Sequence, residues 1–101
     1  MFIAKVIGSV VATQKTPSMV GRRLLLIEPY VVDRDTRTSF VTTGRSLVAV
    51  DTVGAGEEQF VLVVQGSSAR MTDETKPLPV DCTIIGIVDS VHLDRKPVSL
   101  K

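Results

Sequence analysis

A chain of 101 residues with 12 basic and 11 acidic side chains is one domain, spanning residues 1–101. It carries too little net charge for a dominant role on nucleic acid or an anionic membrane surface. Its hydrophobic content of 44% and mean hydropathy of +0.25 are high for a domain that buries roughly two-thirds of its unfolded surface, so another subunit is expected to cover part of the apolar surface.

The elements read mostly as strands. Residues 2–13 alternate, with Phe2, Ala4, Val6, Gly8, Val10 and Ala12 on one face and Lys5, Ser9 and Thr13 on the other, the pattern of a half-buried strand. Residues 14–21, containing Pro17 and Gly21, read as a loop. A second strand over 22–32 carries Leu24-Leu25-Leu26-Ile27, with Pro29 marking a bulge, an edge or the strand's end. A polar excursion over 33–39 follows, then a short strand over 40–43 before Gly44. Further strands are expected over 47–51, 60–65 and 83–93. Only 67–74 has helix character: Ser67 or Ser68 is a candidate cap, and Lys76-Pro77-Leu78-Pro79 breaks the run.

Leu24–Ile27, Phe60–Val64 and Ile84–Val88 are apolar on both faces. Doubly buried strands usually lie under helices, and one short helix cannot cover three strands. A small closed all-β barrel turns one face inward. Its outer face then needs a neighbour, at about 800 Å² per partner, which a ring assembly provides on both flanks.

Candidate chemistry is sparse. Gly54-Ala55-Gly56 lacks the third glycine and helix opening of a dinucleotide loop, and no Gly-Lys-Ser/Thr follows; these glycines fit φ > 0 or a close backbone approach. Ser67 and Ser68 are not in a nucleophile elbow. His92 and Cys82, the sole histidine and cysteine, make no catalytic pair. The lone cysteine excludes a disulfide framework and fits a reducing, cytoplasmic compartment, where Cys82 reads as a small buried residue. The N-terminus carries no secretory leader pattern. No window approaches the ~20 apolar residues of a membrane helix, so a soluble chain without a membrane partner is expected. No catalytic residue, cofactor site or metal site is expected. Asp51 ends an apolar strand and Arg70 follows a small-residue turn, each able to pair within or between subunits or to stand as a solvated charge. An OB-like barrel also admits a single-stranded nucleic-acid reading, but Phe2, Tyr30, Phe40 and Phe60 are its only aromatics, a poor stacking platform.

Three segments in order carry a more specific signal. They are Ile3-Ala4-Lys5-Val6-Ile7-Gly8-Ser9-Val10 with Pro17-Ser18-Met19-Val20-Gly21; Val48-Ala49-Val50-Asp51-Thr52-Val53-Gly54-Ala55-Gly56 with Gly66-Ser67-Ser68-Ala69-Arg70; and Pro79-Val80-Asp81 with Ile84-Ile85-Gly86-Ile87-Val88-Asp89. Over nearly its whole length the sequence resembles the EutN/CcmL family of pentameric bacterial microcompartment shell proteins. The resemblance implies a small OB-like barrel and a non-enzymatic homopentamer capping shell vertices between hexagonal shell proteins. It also implies Gly66, Ser67 and Ser68 near a central opening, and Asp51, Gly54, Gly56 and Arg70 at the subunit interface. Glu57-Glu58-Gln59 departs from the pattern, standing where many members have another glycine.

Overall fold

The computed structural model describes residues 1–12, 17–19, 21–66 and 81–100. Eight strands lie within them: β1 (Phe2–Val10), β2 (Arg23–Val32), β3 (Phe40–Thr42), β4 (Leu47–Asp51), β5 (Phe60–Gln65), β6 (Cys82–Val88), β7 (His92–Leu93) and β8 (Lys96–Pro97). A single turn of 3-10 helix forms at Pro17–Met19. The main sheet runs β1-β5-β6-β4-β2-β3, and β1 also pairs with β2. Five strands therefore close into a barrel, and β3 extends the far end of β2. Every pairing in the barrel is antiparallel except β4–β6, where Val50 faces Thr83 and Asp51 faces Ile84.

Alternation along the strands fills the interior. Ala4 and Val6 from β1, Leu25 and Ile27 from β2, Ala49 from β4, Val61 and Val63 from β5, and Ile84 from β6 form the buried cluster. The alanines leave room for the larger branched side chains opposite, as a small barrel filled by side chains requires. Pro29 neither bulges nor ends β2. It sits where β4 has left the ladder (Ile27 is the last residue paired, to Leu47) and β3 has not yet joined (Tyr30 pairs with Thr42). A proline removes no hydrogen bond where its neighbour is missing. Two register shifts bend the wall, one at Ile7 between Val6 and Gly8, the other opposite Leu62 and Val63; bulges of this kind help a sheet curl to closure.

Several strand ends differ from the sequence reading, with β3 ending one residue early at Thr42 and β6 beginning one residue early at Cys82. β1 stops at Val10, not at residue 13. β2 begins at Arg23. The strand expected over 83–93 is two: β6 ends at Val88, and His92 opens a separate hairpin with β8. Its two-residue turn, Asp94-Arg95, holds both residues at positive φ (53° and 64°), the geometry that matches strand twist. Neither residue is glycine, so the turn left no sign in the sequence. Beyond the hairpin, Ser99 bridges Ser39 in parallel: its N–H donates to Thr38 and its carbonyl accepts from Phe40. Phe40 and Val98 are buried there, and Arg37 donates two hydrogen bonds to Asp94. The polar excursion is thus bound to the C-terminal segment. The helix expected over 67–74 lies outside the described residues.

Candidate functional site

The loop after β4 is organised by one carboxylate. Asp51 and Arg23 are cross-strand partners at the ends of β4 and β2. The Asp51 side chain is 1% exposed. Its Oδ1 accepts from Val53 and Gly54 N–H at 3.0 and 3.1 Å, and its Oδ2 accepts from Ala55 N–H at 3.0 Å. Arg23 Nη1 donates to Oδ2 at 2.8 Å and to the Ala55 carbonyl at 2.6 Å. Three backbone donors and a guanidinium converge on one carboxylate, the charge-assisted arrangement that holds a turn most firmly. Gly54 takes φ +78°, while Gly56 is not among the positive-φ residues. A Cβ on Gly56 would meet only the Gln59 carboxamide oxygen at 3.7 Å, so within the subunit neither positive φ nor a close backbone approach requires a glycine there. Thr52 Oγ1 donates to the Ile84 carbonyl at 2.7 Å and ties the loop to the closing strand.

At the tip, Glu58 stands at φ +72°, a conformation glycine adopts without steric cost. Glu58 is held by its N–H to the Val6 carbonyl at 2.9 Å and by its carboxylate to Lys5 Nζ at 3.1 Å. That hydrogen bond raises the Lys5 pKa above the ordinary lysine value, against a smaller opposing effect of desolvation. Tyr30 and Phe60 meet edge to face at 5.2 Å beside it.

Gly66 lies at φ +70° just past β5, and its N–H donates to the Asp81 carbonyl at 2.8 Å. This pair forms the neck through which the chain leaves and re-enters the barrel. Ser67, Ser68 and Arg70 lie beyond it, outside the described residues. Cys82 is buried beside the neck; burial, then the Asp81 carboxylate, push its thiol pKa up, which makes it unreactive.

Of the residues singled out from sequence, Asp51 and Gly54 meet in one turn with Gly56 at its end, while Gly66 stands apart at the neck. Sequence reasoning left the partner of Asp51 open and missed Arg23, although an arginine opening one apolar strand and an aspartate ending another are natural antiparallel partners. It also missed the outward-facing valines. Val31, Val41 and Val48 are 51%, 39% and 49% exposed.

A family model described as "Ethanolamine utilisation protein EutN/carboxysome" matches residues 1–89. The chain is 42% identical over 91 residues to the bacterial microcompartment shell vertex protein PduN of Salmonella typhimurium, covering 90% of this chain and 98% of that one. It is similar to the structure of Gloeobacter violaceus CcmL, with TM-score 0.84 and 40% identity over 100% of this chain and 98% of the other. It also resembles the GrpN pentameric microcompartment shell protein from Rhodospirillum rubrum, with TM-score 0.78 and 38% identity over 92% and 99% of the two chains. With an OB-like closed barrel, this loop architecture and a family match over the barrel strands, the chain belongs to the EutN/CcmL family.

Proposed function

We propose that this protein is a structural vertex component of a bacterial microcompartment shell, acting as a homopentamer and carrying out no catalysis. One observation carries the reading: a closed barrel whose strands are apolar outside as well as inside, in a chain whose relatives are named shell vertex proteins. The mechanism is geometric. Five copies set a fivefold corner, which flat tilings of hexagonal shell proteins need in order to close. In this reading Gly66, Ser67 and Ser68 line the opening on the axis. Asp51, Gly54, Gly56 and Arg70 shape the contact between neighbouring subunits, Asp51 by holding the 51–56 loop in one shape. The assembled protein works in the cytoplasm, within the shell. No helix among the described residues is long and apolar enough to cross a membrane.

No observation favours the single-stranded nucleic-acid reading. Phe40 and Phe60 are 9% and 6% exposed, which leaves no open platform of stacked aromatics. Co-expression with hexagonal shell proteins, followed by electron microscopy, tests the proposal. Closed polyhedral shells that open into sheets or tubes when this chain is omitted support it; shells indifferent to its presence sink it.

A further inference from the structure

Four of the eight large apolar side chains exposed among the described residues, Ile7, Val31, Val41 and Val48, fall into two groups on different elements. In the first, Val31 of β2 and Val41 of β3 are cross-strand partners. They lie on the ribbon that continues past the barrel, on the side that carries Leu25 and Ile27 deeper in β2. The ribbon's other side has Val32 opposite Phe40, and Phe40 is buried there, 9% exposed. One side of the ribbon is sealed and the other is open.

The second group lies on the barrel wall. Val48 of β4 faces Leu26 of β2, Leu26 faces Gly8 of β1, and Ile7 sits at the bulge beside it. A Cβ on Gly8 would stand 3.9 Å from the Leu26 Cβ, so the absent side chain leaves Leu26 half-uncovered. Ile7 and Val48 are 39% and 49% exposed. They form with Leu26 a strip across three strands.

We infer that these two surfaces are the two halves of one contact: the open valine face of the β2–β3 ribbon of one subunit packs on the Ile7–Leu26–Val48 strip of the next copy. The inference rests on the five-copy ring proposed above. A contact between identical patches closes at two copies, whereas a ring of five needs two different patches that fit each other. The surface area is of the right size. The chain exposes 6365 Å², whereas a self-contained monomer of 10.9 kDa exposes roughly 5,600 Å². The excess is comparable with one of the two faces, of ~800 Å² each, that a ring subunit contributes to its neighbours. A formal net charge of +1 opposes such packing only weakly.

Native mass spectrometry of wild type, Val41→Glu and Val48→Glu at equal concentration tests this, with circular dichroism as the check on fold. Each valine is exposed in the single subunit, so a charge there is solvated before assembly and buried only after it. The expected result is a wild-type five-mer and, in each variant, at least a tenfold fall in ring relative to folded monomer. A Val41→Thr/Val48→Thr variant keeps strand propensity while weakening both halves, and is read if a glutamate variant fails to fold; it too is expected to lose ring. A five-mer in the wild type that persists in the folded variants overturns the contact and leaves the vertex reading standing. A wild type with no ring overturns both.

Discussion

Replacing Asp51 with alanine removes the acceptor on which the 51–56 loop is built. Val53 and Gly54 are exposed, so water takes over their N–H groups at about 0.5–1 kcal/mol each. Ala55 is fully buried, and its N–H loses its only acceptor, at about 1–3 kcal/mol. The Arg23 guanidinium is half-exposed and keeps the Ala55 carbonyl, so its ion pair adds at most ~1 kcal/mol. Together these give a destabilisation of about 4 kcal/mol, a large part of the roughly 5–15 kcal/mol that holds a domain together. Asp51→Asn keeps one carbonyl oxygen for Val53 and Gly54 but turns an amino group toward Ala55 N–H or Arg23, for about half that loss. Urea unfolding at constant m measures both. It should be run at several protein concentrations, so that subunit dissociation is separated from unfolding. An alanine variant within about 1 kcal/mol of wild type would refute the claim that the buried amide depends on this carboxylate.

At the loop tip, Glu58→Ile forces a β-branched residue to positive φ and should lower stability by about 1–2 kcal/mol, whereas Glu58→Gly should not; equal midpoints for the two in urea would contradict the conformation assigned. Leu25→Ala empties a site 1% exposed and should cost about 2–5 kcal/mol, read from the same titration. Cys82 should resist iodoacetamide in the folded barrel at pH 8 and react on unfolding; rapid native labelling would contradict its burial. Because its pKa is raised on folding, its contribution to stability is complete below the ordinary thiol value of ~8.5 and is lost as pH rises through the folded value. Cys82→Ala should therefore flatten the decline in stability between about pH 8.5 and 10, before Lys5 begins to lose its proton.

The barrel was legible because period-two alternation and doubly apolar runs are written residue by residue: Ala4, Val6, Leu25, Ile27, Val61 and Val63 point inward as their positions require. The family resemblance rested on the same segments. What escaped was set by tertiary pairing. Arg23 meets Asp51 only because β2 and β4 align in one register. The β7–β8 turn uses Asp94 and Arg95 at positive φ where sequence signals rest on glycine or asparagine. Val41 and Phe40 are adjacent and both apolar, yet one is exposed and the other buried, a difference set by tertiary packing that no local pattern records.

The parallel seam between β4 and β6 bears on how the chain folds. Until β6 arrives, β4 and β5 each present an unpaired edge, and β1–β2 with β4 is an open, curled sheet. One late strand satisfies both edges at once, across a sequence separation that makes closure entropically slow. Substitutions in β6 are therefore expected to act mainly on the folding rate, and those in the C-terminal hairpin mainly on unfolding. A barrel lacking β6 would present the open edges on which strands of neighbouring chains aggregate, so closure protects the chain before its outer valines meet another copy.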